Sequence, residues 1–198
     1  MVLRRGFKTE ANWYAREMRR ELRVLPTDPL CPWQLAGHLE FFIVRLSEFA
    51  RRAPREVTYL QSGAGQKEFS AVTLDIDGQS WIIHNDTHDP KRQAANIAHE
   101  LAHGLLVHKP NPLLTAMGTR YFDRTQEDEA NWLGPALLIS EEAALLIARE
   151  GMSIASASNH YGASEEVVRM RMNVCAAWRR LRLAAQPEAL RTPQGQES

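Results

Sequence analysis

"FSAVTLDIDGQSWIIHNDTHDPKRQAANIAHELAHGLLVH", residues 69–108, changes its period part-way through. Val72, Leu74 and Ile76 alternate with Ala71, Thr73 and Asp75, which is the rhythm of a strand. Asp77-Gly78 is a favoured hairpin turn pair, and Trp81, Ile82 and Ile83 supply the returning strand. The alternation then stops. Asp89 can cap the free N–H groups of a helix start, and Pro90 fits its first turn. Ala95, Ile97, Ala98, Leu101, Ala102 and Leu105 follow, so the spacing predicts a helix to about His108, ending before Lys109-Pro110-Asn111-Pro112.

Working outward, Phe7, Ala11, Tyr14, Ala15, Met18, Leu22 and Leu25 recur at helical spacing and predict a helix over 7–24. Lys8, Arg16, Arg19, Arg20 and Arg23 lie on its other face, read as solvated. A short helix from about Pro32 to Leu39 and a strand from Phe41 to Leu46 come next, and SGAGQ (62–66) reads as flexible. A loop over 109–124 leads to a second long helix, with Thr125 as its cap and Ala130, Leu133, Leu137 and Leu138 turned inward. Helices continue to about Leu183, and the polar tail from Pro187 reads as disordered. Helix, then strands, then helices is an α+β order.

Composition excludes several classes. A chain of 198 residues can build one sizeable core. Lys+Arg and Asp+Glu balance at 24 each, so net charge gives no reason to expect a nucleic-acid or membrane partner. No apolar run approaches a bilayer span, and the N-terminus lacks the apolar stretch of a signal peptide. Cys31 and Cys175 lie far apart in no ligand spacing, which reads as free thiols in a reducing cytoplasm.

The chemistry lies in His99-Glu100-Leu101-Ala102-His103. Residues four apart stand above one another on a helix, so His99 and His103 can aim two imidazoles at one ion. Zinc takes nitrogen ligands, and a catalytic site keeps three protein ligands and one open position for water, whose pKa the metal brings towards neutrality. Glu100 is rotated so that it reaches that water as general base rather than the metal. The five-residue pattern alone arises by chance in roughly one or two chains per hundred, so its setting in a well-capped apolar helix matters. A third ligand is needed. His108, nine residues past His99, is turned to the opposite side if the helix continues. His84 and His88 lie upstream and stay open. Glu127 and Glu129 in QEDEANWLGPALL are the better candidates, and Glu127 is favoured because it shares a face with Ala130, Asn131, Gly134 and Leu138.

These residues resemble the ImmA/IrrE family of bacterial zinc metallo-endopeptidases, of gluzincin type. RGFKTEANWYAREMRRELRV is similar to its N-terminal helix, the 69–108 stretch to its hairpin and zinc helix, and EDEANWLGPALL to its E-x-x-A-N-x-x-A-x-x-L-L element. That element supports Glu127 as third ligand. Two positions depart from the pattern: Gly134 stands for its alanine, and Ser140 for a proline that usually follows the paired leucines. The resemblance implies a small gluzincin-like domain, Zn2+ as cofactor, and cleavage of a helix-turn-helix repressor of the XRE type in mobile-element or stress-response control. His84, His88 and Tyr121 are candidates to assist an oxyanion, with a structural role the commoner one for each.

SIASASNHYGASEEVVRMRMNVCAAWRRLRL (153–183) reads as helix, turn at Gly162, and a second helix capped by Ser164. Arg169, Arg171, Arg179, Arg180 and Arg182 are available to phosphates in a helix-turn-helix reading. Glu165 and Glu166 occupy the start of the second helix, where base-reading residues normally lie, which favours packing or repressor docking. We therefore expect a peptidase domain over 1–150, helix-turn-helix-like helices packed on it over 151–185, and a tail over 186–198. The rival expectations are a zinc-bearing protein that binds a repressor without cutting it, and a DNA-binding regulator acting through 153–183.

Overall fold

The computed structural model describes residues 3–108 and 123–184. Helix α1 (Phe7–Glu21) and the short α2 (Pro32–His38) precede strand β1 (Phe42–Arg45) and a 3-10 turn over Leu46–Phe49. Helices α3 (Pro54–Gln61) and α4 (Gly65–Glu68) lead into β2 (Ala71–Ile76) and β3 (Gln79–His84). The rest is helical: α5 (Pro90–Leu105), α6 (Arg124–Leu138), α7 (Glu141–Arg149), α8 (Ile154–Tyr161), α9 (Glu165–Val174) and α10 (Ala177–Ala184). The α+β order is as expected.

Strand order is β1-β3-β2, with β3 antiparallel to β2 and parallel to β1. Asp77 and Gly78 both take left-handed φ, 54° and 76°, as the tight turn between β2 and β3 requires. Thr73, Ile82 and Ile43 lie in register on one face. The inward Ile82 is fully buried and joins Phe7, Leu35, Ile97, Leu101, Leu133 and Leu137 in one core. Each such side chain contributes about 1.5–3 kcal/mol. A second core, with Ala98, Leu138, Ile139, Ile147, Tyr161, Val168 and Met172, fills the space between α5, α6 and the C-terminal helices. Helix α6 therefore has apolar partners on both sides.

Several expectations need correction. Helix α1 ends at Glu21, and Arg23 takes a left-handed φ of 57°, which turns the chain before Leu25. Arg19 is not on a solvated face but fully buried. Its guanidinium donates to Ala15 O at 3.0 Å and Leu138 O at 3.2 Å, and burial pushes its pKa down to about 10. The first strand ends at Arg45 because Leu46 opens the 3-10 turn. Helices α3 and α4 were not foreseen, although Pro54 sits at the first position of α3. The stretch 62–66 runs into α4 and is not a free linker. Asp123 rather than Thr125 caps α6: its carboxylate accepts from Thr125 N at 2.9 Å and Gln126 N at 3.3 Å, and Thr125 is already helical. Ser140, at the position of the family's proline, caps α7 through Ala143 N and donates to Pro26 O. The 109–122 part of the expected loop, with Tyr121, and the tail from Pro187 lie outside the described residues.

Candidate metal centre

Helix α5 starts as its sequence dictates, with Asp89 accepting from Lys91 N at 2.9 Å ahead of Pro90. One turn separates His99 from His103, and their Nε2 atoms lie 3.1 Å apart. Helix α6 crosses against this turn. A Cβ on Gly134 would sit 3.1 Å from both Cα and N of His99, so the absence of a side chain there lets the helices close. Glu127, two turns earlier on the same face, then reaches the imidazoles: Oε2 is 3.3 Å from His99 Nε2 and Oε1 is 3.7 Å from His103 Nε2. His99, His103 and Glu127 form a group of two nitrogens and a carboxylate that could hold a metal ion. A borderline-soft divalent cation such as zinc suits that donor set.

Glu129 does not join this group. It is buried, accepting from Arg4 Nε at 2.7 Å with Oε1 and lying 3.1 Å from His108 Nε2 with Oε2. His108 is itself not on the opposite side, which corrects the helical extrapolation. Helix α5 ends at Leu105; Val107 then takes a left-handed φ of 52°, and His108 N reaches back to His103 O at 3.0 Å. This is a Schellman ending with valine at the position glycine usually fills. A β-branched residue there costs on the order of 1–2 kcal/mol. The result places His108 Nδ1 2.9 Å from His103 Nδ1.

Glu100 is not among the three grouped donors and is buried. Thr73, on the inward face of β2, donates to Glu100 Oε2 at 2.6 Å. Thr73 was not singled out as a site residue; it alternates with the apolar Val72 and Leu74, and only its register with Ile82 shows the face it lies on. Glu100, His99 and Glu127 line a cleft of about 430 Å³ whose walls also include Ser70, Ala71, Leu138 and Val167. Among the described strands, β2 pairs only with β3 and so lies at the edge of the sheet, and Ala71 at its start lines the cleft.

His84 and His88 are buried and stand apart from the metal-binding group. His88 Nε2 lies 3.2 Å from Gln66 O and its Nδ1 3.2 Å from Asn96 Nδ2, while His84 Nδ1 has no hydrogen-bond partner among the described residues. Burial lowers both pKa values from the ordinary 6.5; nearby Arg45 adds to the effect at His84 and Asp86 opposes it. Below that value the unfolded chain holds more protons on these rings than the folded one. Stability is therefore present above about pH 6.5 and is lost as pH falls through it. The chelator-treated protein is expected to melt at a lower temperature at about pH 5.5 than at about pH 7.5, and His84→Phe to flatten part of that drop. An unchanged drop in the variant would remove His84 from the account.

The C-terminal arginines are largely occupied. Arg171 is fully buried and donates to Ile139 O at 2.8 Å, which corrects its expected role towards phosphates. Arg169 pairs with Glu165 at 2.7 Å, and Arg180 pairs with Glu141.

The model of the IrrE N-terminal-like domain, Peptidase M78, matches residues 51–173, well over half of the chain. The chain belongs to that family. The matched span runs from just before α3 to the last turn of α9 and contains the whole metal-binding group. It leaves α1, α2 and β1 outside, although α1 packs on α6 and β1 completes the sheet. No curated protein and no solved structure matches the chain at a significant level. Among the described residues, no helix is long and apolar enough to cross a membrane.

Proposed function

We propose that this member of the M78 family is a zinc-dependent endopeptidase of the cytoplasm, with a helix-turn-helix repressor as its substrate. The observation that carries the reading is the convergence of His99, His103 and Glu127 with Glu100 one residue along the helix. His99, His103 and Glu127 would hold the zinc. Zinc bound there would supply an acidified water and polarise the carbonyl to be cut. Glu100 is the general base: it takes one proton from the attacking water and passes it to the amine that leaves, while Thr73 holds its second oxygen still. The edge of β2, unpaired among the described strands, suits a substrate in extended form, because strand pairing presents backbone to the cleft with little demand on side chains. The occupied arginines and the acidic start of α9 speak against DNA as the partner of 153–183.

Elemental mass spectrometry of the purified protein tests the site. About one zinc per chain is expected, falling steeply in His99→Ala and Glu127→Ala. A protein that takes up no zinc at neutral pH, even when it is supplied, would overturn the peptidase reading.

A further inference from the structure

His103 turns its two ring nitrogens to different neighbours. Nε2 faces His99 and Glu127, and Nδ1 lies 2.9 Å from Nδ1 of His108. His108 continues outward, with Nε2 3.1 Å from Glu129 Oε2, and Arg4 Nε donates to Glu129 Oε1 at 2.7 Å. A second nitrogen of the Arg4 guanidinium lies 2.6 Å from Glu10 Oε2. The His108 and Glu129 side chains are 8% and 7% exposed, so water does little to compete with these contacts.

A metal-binding His103 needs an Nε2 without hydrogen, and with both rings neutral one arrangement of hydrogens then satisfies every link. The guanidinium is always a donor, so Glu129 accepts at Oε1. Ionised Glu129 also accepts at Oε2, so His108 carries its hydrogen on Nε2 and leaves Nδ1 as an acceptor. His103 must then donate from Nδ1, which leaves its Nε2 as the nitrogen without hydrogen, on the side of Glu127 and His99. A histidine in any other tautomer here would break a buried contact.

We propose that Arg4, Glu129 and His108 form a positioning relay that fixes the tautomer and ring plane of His103 for metal binding. The proposal rests on the zinc reading of His99, His103 and Glu127. It explains why an acidic residue two positions from Glu127 is buried away from the cluster. It also explains why valine occupies a left-handed position at the end of α5, since that turn delivers His108 to His103. Arg4 and Glu10 precede the span that matches the family model, so the N-terminal segment supplies the outer end of the relay.

Zinc affinity of the metal-free full chain, titrated in competition with a chelating dye, reads the relay without reference to catalysis. His108→Phe keeps a ring of similar size and loses both nitrogens; it is expected to bind zinc about 10–100-fold more weakly. Adding Glu129→Gln to that variant is expected to cost little more, because the chain of contacts is already broken. Arg4→Lys is expected to bind more tightly than Arg4→Ala. Long-range nitrogen–proton NMR spectra of the zinc-loaded parent supply a second readout that needs no variant to fold. They are expected to place hydrogen on Nδ1 of His103 and on Nε2 of His108. Parent-like zinc affinity in a folded His108→Phe, or hydrogen on Nδ1 of His108, overturns the relay alone. A parent that takes up no zinc overturns it together with the reading beneath it.

Discussion

Glu100→Gln is expected to retain about one zinc per chain and to cut peptides about a thousandfold more slowly. The two halves of that result have separate causes. Glu100 is absent from the group that could hold a metal, so the amide leaves those donors untouched. An amide has no basic oxygen for the water proton, and the acid–base contribution disappears. Thr73 donates to Oε2 in the parent and can donate to an amide oxygen as well, so the variant side chain has a reason to stay in place. Elemental analysis and cleavage of a candidate repressor, measured on one preparation, read both halves. Full cleavage by the variant would remove Glu100 from the mechanism. Loss of zinc would show that the substitution disturbed the site. Repressor silencing that survives with no cleavage would favour the non-hydrolytic binder.

Arg171→Ala is expected to destabilise the fold by about 3 kcal/mol. Arg171 caps the exit of α6 by donating to Ile139 O, reaches Asn12 Oδ1 at 3.4 Å, and lies over the Trp132 ring. Truncation opens a cavity in the core and leaves a buried carbonyl without its donor. Burial also holds the Arg171 pKa below its ordinary value, so the charge carries a desolvation cost that offsets part of what it contributes. Arg171→Met, which keeps most of the volume and removes the charge, is therefore expected to cost less than half as much. Urea unfolding of the metal-free proteins gives both numbers. Equal losses in the two variants would assign the effect to the hydrogen bonds rather than to packing.

Legibility in the sequence followed the range of the forces at work. The hairpin, the start of α5 and the pairing of His99 with His103 depend on residues within a turn of one another, and periodicity with cap chemistry reports such relations directly. Favouring Glu127 over Glu129 needed one more step, a helical face carrying Gly134, and that face does meet α5. His108 was misplaced because extrapolating a helix requires knowing where it stops. No glycine marks the ending at Val107, and a valine in left-handed backbone gives no warning. Arg19 and Arg171 misled for a related reason. Arginines on an amphipathic helix are usually solvated, and the carbonyl oxygens that pull these two inward belong to the end of a helix more than thirty residues from either in sequence. Thr73 was legible only as one position in an alternating strand, since its partner is fixed by how β2 lies on α5.

The two buried arginines have a consequence for how the molecule is made. Arg19 binds Leu138 O and Arg171 binds Ile139 O, so segments that precede and follow it in sequence meet at the close of the helix that carries Glu127. During synthesis that helix leaves the ribosome before α9 does. Until Arg171 follows, one of its terminal carbonyls lacks its donor and the second core lacks Val168 and Met172. Assembly of the cleft therefore waits for α9, and a growing polypeptide leaves that cleft without its Val167 wall until residues 165–174 have emerged.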